Sequence, residues 1–330
     1  MSSMITRRQL NTGALGLGAA AAVGVAGGFP RQARAADELN FQAIWLNDPE
    51  FLGYMIGIDK GYYAAEGLKV NYFPGGPNLI PEAALLSGKA DIALTNIVGA
   101  AIAVSQKGAA LKILGTQYQK SPAGVISLES SGIKAPKDLI GKTVACPPLS
   151  LPTFKATLAV NNVPADKVKI VPYTFDPTPL ATGNVDAIVD FVTQMPFLVE
   201  QKSGKKASYF LFWDFGLPFY IDLITVTADT LKAKRKQIVA FLRASRKGWA
   251  ENNADPDKYP KEYAETWFKG NGSSAESMVY FNRAQIPLMA NPKGLFVMSD
   301  EDIKRNLAAL DQINVKGSLD MFDTSLLAEI

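Results

Sequence analysis

The sequence predicts an α/β protein of two domains built on open, mostly parallel sheets. Three observations predict it. Strand-like and helix-like runs alternate from Leu39 onward, the pattern restarts after Gly124–Ser130, and 330 residues suffice for two buried cores.

LNFQAIWL, residues 39 to 46, is a partly alternating apolar run and reads as the first strand. NDPE follows, with Asp48 as an N-cap, Pro49 at the first helical position and Glu50 at the positive helix end. Phe51, Leu52, Met55 and Ile56 then share one helical face, and Lys60-Gly61 ends the helix. LKVNYF is the second strand, and Gly75, Gly76, Pro77 and Asn78 form a turn from which Asn78 caps a helix over 79–86. DIALT is the third strand, Asn96 caps a helix running to Lys107-Gly108, and LKILGTQYQ is the fourth strand. Three successive strand ends therefore carry polar or glycine-rich residues: Asn47-Asp48, Gly75 to Asn78, and Thr95-Asn96. In an open parallel sheet such ends face one side, where ligands bind, although each is equally a helix cap.

In the second half, strands are expected at 142–145, 167–173 and 185–191, with helices over 151–161, capped by Ser150, and 195–204. ASYFLFWDFGLPFYIDLITVT, from residue 207, is the densest aromatic run, and beyond Asp229 the chain is mostly helical, with a last helix over 301–313.

The first thirty-five residues read differently. Arg7 and Arg8 precede a Gly/Ala-rich stretch over 13–28, and Ala33-Arg34-Ala35 fits a small-x-small cleavage site. The segment looks like a twin-arginine export signal. Its removal takes away four arginines and no acid, so the formal charge moves from +3 to −1. The basic balance belongs to the leader, and nothing points to nucleic acid.

With no histidine and one cysteine, Cys146, the chain lacks Ser-His-Asp and Cys-His catalysis, histidine-bearing zinc sites and internal disulfides. No HExxH, P-loop or GxGxxG pattern appears, so no catalytic residue, metal or cofactor is expected. Between Arg34 and Arg235 there is no arginine, the usual bidentate partner of carboxylate, sulfonate or phosphate. That gap favours a neutral or weakly charged ligand.

Four stretches carry a family resemblance: WLNDPEFLGYMIGIDKGYYAAEGLKVNYFPGGPN, LLSGKADIAL, APKDLIGKTVA and ATGNVDAIVDF. Together they resemble the solute-binding proteins of ABC importers in the NMT1/THI5-like group, which spans thiamine-pyrimidine precursor, sulfonate and nitrate binders. The resemblance implies a type II periplasmic-binding-protein fold, with two lobes flanking a cleft and two crossovers as the hinge. Residues 36–127 plus 224–330 would form the first lobe and 128–223 the second. It also implies a periplasmic monomer that delivers a small solute to an ABC permease. One branch of the family makes a pyrimidine from its own histidine with a cysteine-rich motif. This chain has neither.

The expected ligand contacts on the first lobe are Trp45, Asn47, Phe51, Gly76, Asn78, Asn96 and Tyr118. Trp45 offers a stacking face or a core ring, the asparagines offer donors and acceptors or caps, and the Gly75-Gly76 turn lets backbone approach a ligand. Phe51 stands where relatives often carry histidine and would be a second aromatic wall. On the second lobe the candidates are Ser150, Asp176 and Asp190, with Trp213, Tyr220 and Asp222 near the return crossover. The expected ligand is planar and nitrogen-rich, a thiamine-related pyrimidine, a flavin or its precursor. Sulfonates and nitrate rank lower; an exported enzyme or a ligand sensor on the same fold is the competing reading.

Overall fold

Two five-stranded sheets share the chain, and the order in which they are visited fixes where their edges meet. The computed structural model describes residues Ala36–Ile330, so the expected export signal and its cleavage site lie outside the described residues. β1 (Asp37–Gln42), β2 (Leu68–Phe73), β3 (Ile92–Asn96) and β4 (Leu111–Thr116) enter the first sheet before the chain crosses over. β5 (Ala123–Leu128), β6 (Thr143–Cys146), β7 (Lys169–Pro172), β8 (Ala187–Phe191) and β9 (Ala207–Leu211) then build the second. β10 (Ile221–Thr227) returns to the first.

The sheet orders are β2-β1-β3-β10-β4 and β7-β6-β8-β5-β9. In each sheet the strand laid down directly after a crossover runs against its neighbours: β10 is antiparallel to β3 and β4, and β5 to β8 and β9. The first crossover thus leaves one sheet at the carboxyl ends of its parallel strands and enters the other at the corresponding edge. The second crossover makes the reverse trip. Both sets of strand carboxyl ends are brought to the hinge side, where open α/β sheets bind ligands.

β5 lies in the second sheet, so the crossing occurs over residues 117–122 rather than at the expected 127/128 boundary, and the return occurs over 212–220. The reason is pairing: Ala123 to Ser127 register with Phe191 to Ala187, which commits that strand to the second sheet.

The core of the first sheet joins Leu39, Phe41, Tyr54, Met55, Phe241 and Trp249. Helix Leu52–Asp59 packs on the long helix Ala228–Ala254, and a Cβ on Gly248 would stand 1.9 Å from the Gly53 carbonyl oxygen. This close approach anchors the helix that begins at the cleft. Under the second sheet, Ile126, Ala145, Ile188 and Val199 are fully buried. The free Cys146 is buried, as its small apolar character predicts. Among the described residues no helix is long and apolar enough to cross a membrane.

Candidate functional site

The site assembles where the loops after β1, β7 and β8 meet. β1 ends at Gln42, earlier than the alternation predicts, because the Gln42 amide turns back to donate to the Ala43, Phe73 and Pro74 carbonyls. Trp45 therefore sits in a bend beyond the strand, half-buried against the first core. Its ring meets Phe175 of the second lobe edge-on, with centroids 5.5 Å apart. Phe175 packs at 5.6 Å on Tyr173, whose hydroxyl donates to Asp190 Oδ2 at 2.8 Å. Asp190 Oδ1 also accepts the Phe191 N–H. Burial pushes the Asp190 carboxyl up to about 6, and the Tyr173 and Phe191 donors hold it down against that effect.

Phe175 is the irregular member of this group. It is 44% exposed and has φ +62°, a left-handed conformation that bulky side chains adopt rarely and at a cost. An exposed aromatic ring held in strained backbone, facing a tryptophan across two lobes, is a feature packing alone does not call for. Beside it the lobes also touch through Gln194, whose Nε2 donates at 3.0 Å to Ser273 and Ser277, and through Phe197 against Tyr280.

Several expected contacts are otherwise engaged. Asn47 donates to the Trp267 carbonyl at 3.0 Å and accepts from the Tyr72 hydroxyl at 3.1 Å, beside a shallow depression shared with Thr266 and Trp267. Phe51 and Tyr118 are fully buried, and Tyr118 donates to Gln285; neither ring is a cleft wall. Asn78 is exposed and caps nothing. The helix starts later, at Pro81, because proline favours the first helical position and holds Ile80 extended. Asn96 is the expected cap, accepting from Gly99 N at 2.8 Å.

The glycine turn is also tight for a different reason than expected. A Cβ on Gly75 would meet the Ile44 carbonyl carbon at 2.3 Å, whereas one on Gly76 would have room beside Leu46 at 3.5 Å but would sit on a backbone of φ +157° that side chains rarely adopt. The close approach is to the chain's own backbone, at Gly75, sealed by Gly75 N–H donating to the Trp45 carbonyl.

On the second lobe, Ser150 is half-exposed at the start of helix Leu151–Val160 and makes no capping bond, contrary to the expected cap. Asp176 is exposed; the Thr178 hydroxyl and N–H both donate to it and hold its carboxyl below the usual range, with Lys202 at 3.7 Å adding to the effect. Trp213 lies against Tyr220 and beneath the Arg305 guanidinium. Tyr220 is buried, and its N–H donates to Asn306. Asp222 is fully buried and accepts from Gln117 Nε2 at 3.0 Å.

Tyr173, Phe175 and Gln194 were not legible as site residues in the sequence. Nothing in their spacing marks them, and the backbone strain at Phe175 exists only in three dimensions. The arginine argument extends further in the structure. The five arginines from Arg235 onward bond to Glu329, Glu66, the Leu295 and Ile330 carbonyls, Asp257 and Asp302.

The NMT1/THI5-like family model matches residues 48–259, and the chain belongs to that family. It is 27% identical over 209 residues to the formylaminopyrimidine-binding protein of Halalkalibacterium halodurans, a match spanning 62% of each chain. Less than two thirds of that relative's length is thus covered. It is 23% identical over 244 residues to the riboflavin-binding protein RibY of Chloroflexus aurantiacus, covering 72% of this chain and 69% of that one. Among solved structures, the periplasmic aliphatic sulphonate-binding protein SsuA of Escherichia coli superposes with a TM-score of 0.65 at 16% identity, over 86% of this chain and 96% of that one. The fold is the type II periplasmic-binding-protein fold.

Proposed function

We propose that this member of the NMT1/THI5-like family captures a small planar heteroaromatic solute, a thiamine-related pyrimidine or a flavin, between its lobes. The observation that carries the reading is the Trp45–Phe175 contact across the cleft, at 5.5 Å between ring centroids. Two aromatic faces from opposite lobes accept a flat ring at little entropic cost. Asp190, held beside them by Tyr173, accepts hydrogen bonds from ring N–H or exocyclic amino groups. Half-exposed Ser150 and Asn96 Nδ2 add polar contacts at the edges. The names of the two binding-protein relatives support a nitrogen-rich ring, and the engaged arginines weigh against a strongly anionic one.

On this reading the protein is exported by the twin-arginine route, works in the periplasm as a monomer without catalysis, and hands its solute to an ABC permease after hinge closure. Lobes divided at 117–122 and 212–220 close on each other. The test is thermal unfolding of the chain from Ala36, freed of endogenous ligand by refolding, against pyrimidines, flavins, sulfonates and aromatic acids. A ligand at about a hundred times its Kd adds about 2.7 kcal/mol of stability. A shift with pyrimidines or flavins that vanishes in Trp45→Ala and Phe175→Ala supports the reading. A shift confined to sulfonates overturns it, and turnover of the bound compound would move the assignment to an exported enzyme.

A further inference from the structure

Three buried polar side chains meet beneath the cleft, one from each segment converging there. Glu50 comes from the helix start after Asp48, Gln117 from the first crossover and Asp222 from the start of β10. They are 2%, 0% and 0% exposed. Gln117 ties them together: its Nε2 donates to the Glu50 carbonyl at 2.7 Å and to Asp222 Oδ2 at 3.0 Å, and its N–H donates to the Asp222 carbonyl. Asp222 is held at φ +54° within an irregularity in β10, which turns it away from regular strand pairing.

The charges do not balance. Among the described residues, Glu50 Oε1, Asp222 Oδ1 and Gln117 Oε1 are buried acceptors with no hydrogen-bond partner, as is the nearby Tyr54 hydroxyl, so the two carboxylate oxygens have no donor between them. The titratable groups facing them are Asp48 before the helix, Tyr54 on helix Leu52–Asp59, Tyr72 on β2 and Tyr118 on the first crossover. Among the described residues no lysine or arginine acts on either carboxyl. Among the described residues no three acidic or sulfur side chains converge closely enough to hold a metal ion. Two unpaired buried carboxylates would carry a large desolvation cost, whereas a proton on one of them gives both orphaned oxygens a partner at once. Burial, followed by the neighbouring carboxyl, raises Glu50 well above the carboxylate range, and burial raises Asp222 as well.

We infer that Glu50 and Asp222 hold one proton between their carboxyl groups at neutral pH, and that this proton ties the ligand-side helix start to both crossovers of the hinge. Losing it places two like charges side by side in the interior and loosens the hinge, independently of which solute binds. A stability contribution from raised carboxyl values is complete below the ordinary carboxylate range and is lost as pH rises through the raised ones.

The test is infrared difference spectroscopy of the full chain near neutral pH. The inference expects an un-ionised carboxylic-acid carbonyl band that both Glu50→Gln and Asp222→Asn remove. As pH is raised, loss of this band should coincide with faster amide exchange at 117–122 and 212–222 than elsewhere in the sheets. In Glu50→Gln, whose amide donates to Asp222 at every pH, that acceleration should disappear. A band that survives both substitutions overturns the inference, as does exchange at the crossovers that ignores its loss. Stabilisation of the wild type, but not Glu50→Gln, by sodium, potassium or calcium at constant ionic strength would replace the proton with a cation. If one variant fails to fold, the other and the wild-type pH series still decide.

Discussion

The strand ends of the two lobes carry similar residue types and use them differently. On the first lobe most of these polar groups bond within the lobe: Asn47 holds the Trp267 carbonyl, Asn96 caps its helix, and Glu50 and Asp222 are buried in the interior, while Asn78 stays exposed. On the second lobe Phe175 is exposed on strained backbone and Ser150 makes no capping bond, while Asp190 accepts from Tyr173 and the Phe191 N–H and Asp176 bonds Thr178 and Lys202. The first lobe supplies a rigid platform with one aromatic ring, Trp45. The second supplies the exposed Phe175 ring that meets it. Burial pushes the Asp190 carboxyl up to about 6 against the hydroxyl and amide donors that hold it down, and pushes Asp222, which lies beside Glu50, up to about 7.

The sharpest test of this contrast is Glu50→Ala, which leaves Asp222 buried without its partner. It should cost about 1–3 kcal/mol in urea denaturation, the cost of a buried polar group left without its partner; a loss like that of a surface substitution would break the contrast. Next, Gly75→Ala should cost roughly 1–3 kcal/mol, because its Cβ meets backbone that cannot yield. Gly76→Ala should also cost stability, through its φ of +157° rather than through a clash, and an unchanged stability in Gly75→Ala would remove the close backbone contact as a requirement of the turn.

On the second lobe the order of effects reverses. Phe175→Gly should leave stability unchanged or raise it by about 1 kcal/mol, since glycine accepts φ +62° freely. It should nonetheless weaken binding of a planar ligand roughly tenfold in calorimetry. Equal losses of folding and binding would make Phe175 a packing residue. The smallest effect belongs to Tyr173→Phe. Removing a donor that favours the charged form should raise the Asp190 value above about 6, read by carbon NMR of its carboxyl. The stability tied to protonated Asp190, present at low pH and lost as pH rises through that value, should then persist to higher pH.

Much of the fold was legible because periodicity and capping are local. Asp48 and Asn96 cap as their types predict, and the strands and helices fall close to the expected runs. The site was less legible. Trp45 was expected at the end of its strand but sits in a bend beyond β1, and its partner Phe175 comes from a loop of the other lobe. Phe51, Tyr118 and Tyr220 are all buried, because an aromatic near a strand end satisfies core packing as readily as ligand stacking, and sequence cannot separate them.

By itself the sequence determined the alternation of elements, the helix starts, the lack of histidine and the arginine gap, since each depends on residue type and near neighbours. Tertiary structure alone decided which strand ends face the cleft, that Gly75 is required by close contact with the Ile44 backbone and Gly76 by its φ, and that Glu50 and Asp222 meet. Those outcomes depend on two crossovers folding segments far apart in the chain against one another, and no local pattern encodes such distances.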